Sequence, residues 1–318
     1  MNQLKMVSLE MLVPQDHRYR KFKQVWDFKF ADQKLNKLKK DNPNEGYGLP
    51  VLFRCLLLQF LEDLSDRELE IFLQENTAAK WFCGFDLTDS TPDHTVFTKT
   101  RKRIGTYLIS RLFEQLKVQL RAKGYMNEVF TFVDASHLIA KAALWEERDK
   151  VIQQKYETLN NSNISKVSSD KDAKIGCKGG NKFWYGFKKH ISVDMQSGMI
   201  NKVAITPANI TDAQGFKHVC PQQGAVYADK GYCTKPAVLS AKRKGIHLCA
   251  IKKNNMNGKN HDLDRYYTHI RSPYERVFSH TNKRVRYKGI VKNQFAAFME
   301  AMCFNLKRML VLAEITIG

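Results

Sequence analysis

Between Leu49 and Gly124 the apolar residues recur at helical spacing. Leu52/Phe53, Leu56/Leu57 and Phe60/Leu61 come as pairs every four residues, the stripe left by a helix with one buried side. Ser65 and Glu68 follow at the spacing of a capping box, in which the serine hydroxyl and the glutamate carboxylate satisfy each other's backbone N–H, so a second helix starts near Asp66. In the run STPDHTVFTKTRKRIG, Ser90 or Thr91 is the expected N-cap with Pro92 at the first helical position. Gly105 then ends a helix whose last turn carries Arg101, Lys102 and Arg103. One more amphipathic helix runs to Lys123 and stops at Gly124.

At Glu128 the period changes from helical to extended. EVFTFVDASHL is a β-rich apolar run, and further strands are expected at Lys182 to Val193, Met199 to Thr206, Ala225 to Ala228 and His247 to Ile251. Helical stretches separate the later ones, near Asp212 to Val219 and Lys235 to Lys244. The pattern predicts an all-helical domain over residues 1–124, then an α/β domain over 125–318 with a mixed sheet flanked by helices. An insertion at about 141–181, with a helical, charged start and the Asn/Ser-rich segment TLNNSNISKVSSDKDAK, is expected to be a solvated connector or a DNA-contacting loop.

Composition narrows the class of partner. The 318 residues carry 52 lysines and arginines against 32 aspartates and glutamates, a formal net charge of +20, while 43% hydrophobic content is that of a chain with a substantial core. So large a basic excess favours a polyanion, because cations set against phosphates release condensed counterions. The seven cysteines are scattered without a CxxC pair, which argues against a disulfide framework or zinc site and fits a reducing cytoplasm. The start MNQLKMVSLEMLVPQDH has no signal-peptide core, and charges interrupt the most apolar stretches, so a soluble, cytoplasmic, nucleoid-associated protein is expected.

Three carboxylates stand out against this background. Asp134 follows the apolar EVFTFV, Asp229 follows AVYA, and Glu275 lies in the helical stretch DRYYTHIRSPYERVFSH, four residues after Arg271 and so on the same helix face. Each alone reads as a turn former, a cap or a surface charge. Their order in a strongly basic chain suggests more, because phosphodiester transfer needs charge neutralised on the attacking and leaving oxygens. Two magnesium ions held by converging carboxylates provide that.

FVDASHL, YGFKKHISVDMQSGMINKVAITPANITDAQ, VYADKGY and the YERVF segment resemble the catalytic domain of DDE transposases of the insertion sequence five type. LSDRELEIFL and STPDHTVFTKTRKRIG resemble that family's helical N-terminal domain, with residues 10 to 315 covered in all. The resemblance implies a ribonuclease H-like catalytic fold with Asp134, Asp229 and Glu275 as catalytic triad and metal ligands, and Mg2+ as the ion, with Mn2+ as a substitute. It implies binding to the terminal inverted repeats of the element, cleavage there, joining of the freed 3′ hydroxyl to target DNA, and a homodimer to hold two ends. The family's last signature places tyrosine, arginine, glutamate and lysine at fixed spacing. Arg271 and Glu275 fit, but the tyrosine position is Thr268, with Tyr267 one residue early, and the lysine position is Asn282, with Lys283 one residue late.

Lys230, Arg271, Lys283, Arg101 and Arg103 are the candidate DNA contacts, the last two with a second reading as a helix end that complements its own dipole. His190 is expected in the core or behind the site, Asp194 in a hairpin turn, and Asp212 at the opening of a helix. Two rival functions share these features: a DNA-binding protein that has lost catalysis, and a nuclease of the same fold that cuts without joining.

Overall fold

In a computed structural model the described residues are 7–38, 46–141, 160–179, 182–278 and 283–317. They form two compact units, residues 1–119 with 298–318, and residues 120–297.

The first unit is helical. Its central element, Leu49–Leu61, opens with Pro50 in the first turn and buries ten of its thirteen residues, so it packs on nearly all sides. The next helix, Asp66–Glu75, starts at the expected capping box: the Glu68 N–H donates to the Ser65 hydroxyl at 3.3 Å and the Ser65 N–H to the Glu68 carboxylate at 2.7 Å. The helix in STPDHTVF begins later than expected, at His94. Asp93 caps it by accepting from the Thr95 N–H at 2.7 Å, because Asp93 offers a side-chain oxygen one residue before the turn. Gly105, at φ 66° and ψ 172°, breaks the helical path within His94–Ala122 where the sequence predicts a stop. Phe298, which belongs to this unit, packs on Phe113 at 5.9 Å.

The second unit is built on a six-stranded sheet: β1 (Phe130–Ile139), β2 (Lys174–Lys178), β3 (Lys182–Asp194), β4 (Ile200–Pro207), β5 (Ala225–Ala228) and β6 (His247–Ala250). β1 pairs antiparallel with β3 on one side and parallel with β5 on the other. β6 extends the sheet parallel to β5, and β4 and β2 pair antiparallel with β3. Apart from β2, which the insertion adds at the edge, three antiparallel strands (β1, β3, β4) followed by two parallel to the first make the ribonuclease H-like order that the resemblance implies. The insertion holds β2 and a short helix, Ile164–Val167, where an irregular connector was expected; its charged start, 142–159, lies outside the described residues.

Asp134 does not end its strand, as the sequence suggests. β1 runs on to Ile139 because β3 continues to pair with it, opposite Gly186, while the parallel partner β5 stops at Ala228 opposite Val133. Behind this point the helix Asp212–Val219, capped by Thr211 and Gln214, lays Ala213, Gly215, Phe216 and Val219 against the sheet. Gly215 has no Cβ because the His190 ring occupies that space. Gly215→Ala is therefore expected to displace His190 and cost about 1 to 3 kcal/mol, read as a lower urea midpoint with unchanged slope.

Candidate active site

Asp134 and Asp229 are brought side by side by strand register. Val133 and Ala228 are paired neighbours on parallel strands, so the next residue on each chain is a carboxylate at the same edge of the sheet. Asp134 is half-buried and accepts from the Ala135 N–H at 2.8 Å. Asp229 accepts from the Lys230 N–H at 2.6 Å and caps the 3-10 turn Lys230–Tyr232.

Glu275 is linked to Asp229 through Arg271. The helix His261–Arg271 gives way to a 3-10 turn, Ser272–Phe278, where the sequence had suggested one continuous helix; Pro273 has no N–H to continue the α-helical ladder. Across that change Arg271 Nη2 still meets Glu275 Oε1 at 2.6 Å, and Nη1 meets Asp229 Oδ1 at 3.3 Å. The guanidinium is buried and bridges two of the three predicted carboxylates. Tyr274 anchors the turn, with its hydroxyl donating to the Met195 carbonyl and its ring on Phe132 at 6.2 Å.

The electrostatics follow from this crowding. Burial pushes the Asp134 carboxyl up to about 6, opposed by the Ala135 N–H and Arg271 and reinforced by the charges of Asp212 and Asp229. Arg271 is held more firmly charged: burial works against it, but Glu275, Asp229 and Asp134 together raise its pKa. All three candidate ligands offer hard carboxylate oxygens, and Asp229 and Glu275 keep 45% and 51% of their side chains exposed, so the donor set suits a hard divalent ion that retains water. Among the described residues, three potential ligand atoms lie within 4.8 Å of one another at Glu70, Asp93 and His94, in the helical unit. There Glu70 and Asp93 are engaged in holding the start of the His94 helix.

The other predicted residues fall in different places. Lys230 is exposed beside Asp229. Lys283 is exposed too; its carbonyl accepts from the Ile139 N–H at 2.8 Å, and its charge helps to lower the pKa of His137. In the helical unit, Arg101 is bound through both terminal nitrogens to the Asp66 carboxylate, and Arg103 donates to the Leu38 carbonyl at 2.8 Å. Tyr267 packs edge-on against Tyr227 at 5.6 Å, and the Thr268 hydroxyl donates to the Asp264 carbonyl of its own helix. Asn282 lies outside the described residues. His190 is fully buried and bonded to the Thr206 hydroxyl at 2.9 Å, and Asp194 takes the Ser197 N–H and hydroxyl in its turn, as the sequence suggests for both.

Sequence reasoning passed over Lys188 and Tyr232. Lys188 Nζ meets Asp212 Oδ1 at 2.8 Å, and Tyr232 is fully buried with a hydroxyl that finds no hydrogen-bond partner among the described residues. The tyrosine was legible only as part of ADKGY, and the lysine only through the β alternation that puts it on the His190 face.

Asp134 and Asp229 thus stand side by side where the parallel strands β1 and β5 part, and Arg271 links Asp229 to Glu275. The chain matches the family described as "Transposase DDE domain" over residues 130–306, and "Transposase domain (DUF772)" over residues 7–103. The first match spans more than half of the chain, which belongs to the DDE transposase family, enzymes that move DNA with the help of divalent metals. A solved structure, "Cryo-EM structure of piggyBac transposase synaptic complex with hairpin DNA (SNHP)", is similar over 93% of this chain and 76% of that one, with 8% identity and a TM-score of 0.39.

The raised Asp134 pKa predicts a pH signature in the metal-free protein. A carboxyl protonated more readily when folded than when unfolded costs no stability below its unfolded pKa, near 4. The cost grows as pH rises towards about 6 and is complete above that. Asp134→Asn should then raise the metal-free Tm at pH 7.5, with a gain that shrinks as pH falls from 6 to 4; a gain that does not change with pH contradicts this assignment.

Proposed function

We propose that this chain is the transposase of a bacterial insertion sequence of the insertion sequence five type, which binds the terminal inverted repeats, cleaves at the ends and joins the 3′ hydroxyl to target DNA. The observation that carries this reading is the register that sets Asp134 beside Asp229, together with the shared guanidinium that ties Glu275 to Asp229. Asp134, Asp229 and Glu275 would hold Mg2+, or Mn2+ in its place. Bound there, the ions supply charge neutralisation on the attacking and leaving oxygens and ease deprotonation of the attacking water.

The chain's own groups do the rest. Asp134 and Asp229 sit on paired strands, so the distance between them is fixed by backbone hydrogen bonds and little reorganisation is needed as charge develops. Glu275 is on a 3-10 turn and is the more adaptable carboxylate. When its two ion pairs are exchanged for metal coordination, Arg271 becomes available as a forked donor to a phosphate at the same spot. Exposed Lys230, beside Asp229, and exposed Lys283, next to the end of β1, would contact the DNA backbone. In-line displacement needs no covalent enzyme intermediate, so cutting by water and joining by the 3′ hydroxyl use one set of carboxylates. Two element ends must be held together for joining, which favours a homodimer.

A second reading, a DNA-binding protein without catalysis, draws on one observation: the hydroxyl at the signature's tyrosine position, Thr268, is spent on its own helix. Duplex carrying the element's inverted repeats separates the two. The wild type should nick it in Mg2+, Asp229→Asn should lose at least a hundredfold in rate (on the order of the loss from removing one key electrostatic group), and equal rates would defeat the catalytic reading. A pre-cut end with a free 3′ hydroxyl should be joined to target, which a pure nuclease does not do.

The lysines give a further expectation. Lys230→Ala and Lys283→Ala should each weaken end binding most at low salt and lower the salt slope by about 1, as expected for the loss of one phosphate contact. An unchanged slope in either variant removes that lysine from the interface.

A further inference from the structure

Asp212 stands at the first residue of the eight-residue helix Asp212–Val219, where the bland account is a carboxylate that favours the positive end of the helix dipole. Capping is already complete without it. The Thr211 hydroxyl accepts from the Gln214 N–H at 3.3 Å, and the Gln214 side chain returns the bond to the Thr211 N–H at 3.0 Å. The Asp212 carboxylate is turned elsewhere: Oδ1 is 2.8 Å from Lys188 Nζ, and Oδ2 comes within 3.7 Å of where a Cβ on Gly231 would stand. Gly231 belongs to the Lys230–Tyr232 turn that Asp229 caps, so Asp212 lies against the segment that carries a predicted ligand.

A second, independent observation points into the same space. Tyr232 is fully buried, its ring packs on Phe216 of the Asp212 helix at 5.9 Å, and its hydroxyl is left without a hydrogen-bond partner among the described residues. Burial raises the pKa of that hydroxyl well above the usual value, and the charges of Asp134, Asp212 and Asp229 raise it further while Arg271 lowers it. An orphaned buried hydroxyl is costly and is retained where something polar is to be met. Asp134 in turn is influenced by Asp212 as well as by Asp229.

We infer that Asp212 is a fourth carboxylate of the divalent-cation pocket, held by Lys188 as its counter-ion, with the Tyr232 hydroxyl aimed into the same pocket. This rests on the catalytic reading above and adds to it a residue outside the triad. Lys188 and the incoming cation compete for one carboxylate. Removing Asp212 and removing Lys188 should therefore shift cation affinity in opposite directions, a pattern that a purely structural ion pair does not give.

The test is Mn2+ binding to the full-length, metal-free protein, followed by electron paramagnetic resonance of the free ion, with no DNA and no turnover. Asp212→Asn should weaken Mn2+ binding on the order of tenfold, the scale of losing a group that supports a metal site. Asp212→Glu should recover part of that loss, and Lys188→Gln should bind Mn2+ more tightly than the wild type. Tyr232→Phe should weaken binding while leaving the metal-free Tm unchanged or higher, since it deletes an unpartnered buried hydroxyl. If Asp212→Asn, folded by its thermal melt, matches the wild type while Asp229→Asn loses Mn2+, the fourth carboxylate is refuted and the triad stands. If Lys188→Gln binds no more tightly than the wild type, the competition is refuted, even where Asp212→Asn fails to fold. If Asp229→Asn itself keeps full Mn2+ affinity, the triad reading fails.

Discussion

The site depends on where one parallel pairing stops. β1 and β5 run together from Phe130/Ala225 to Val133/Ala228 and then part, and the first residue beyond the last pair is an aspartate on each strand. Backbone hydrogen bonds fix the spacing of those two carboxylates far more tightly than side-chain packing would, because a slip of one residue would turn both of them to the opposite face. β1 can carry a carboxylate here without fraying because β3 continues to pair with it for five residues past Asp134, as far as Gly186. That second edge closes down on the backbone itself: any Cβ at Gly186 would meet the Leu138 carbonyl.

Bringing like charges together has an electrostatic cost, and the molecule offsets it with fixed cations instead of solvent. Arg271 spans Asp229 and Glu275 from an almost fully buried position, and Lys188 neutralises Asp212 a short way behind. A guanidinium suits this position because its planar fork serves two carboxylates at once and stays charged when desolvated. The arrangement still leaves Asp134 with a raised pKa, so the compensation is partial. Carboxylates crowded with a burial-raised pKa among them are the pattern of a functional site.

Much of this was legible in the chain. The alternation from Glu128 onward located every strand of the central sheet except β2, and the capping-box spacing at Ser65 and Glu68 fixed a helix start to the residue. What escaped had physical causes. β2 is only five residues, KIGCK, directly after the Asn/Ser-rich segment and too short to show an apolar period, and it forms because the first half of β3 offers it an edge. The true extent of β1 was hidden because Asp134 interrupts its apolar pattern, whereas the partner that extends the strand comes from residues fifty positions later. Arg101 looked like a free cation in a basic cluster, but Asp66, thirty-five residues earlier, receives it. Lys188 and Asp212 were invisible as a pair for the same reason: ion pairs between distant elements leave no local spacing.

The departure at Thr268 leaves the contact between Arg271 and Glu275 intact. What the helix must deliver is a guanidinium and a carboxylate to one point, and those are Arg271 and Glu275, which keep their four-residue spacing and their contact even though the backbone changes from α to 3-10 between them. The signature's tyrosine position lies three residues before Arg271, on an exposed part of the helix, and Thr268 there bonds only within its own turn. Tyr267, one residue earlier, faces inward and packs on Tyr227 of β5, the strand that leads directly to Asp229. The aromatic ring therefore seats the Arg271 helix on the strand that leads to Asp229. Packing thus keeps an aromatic ring beside β5 where the spacing of the motif is not kept.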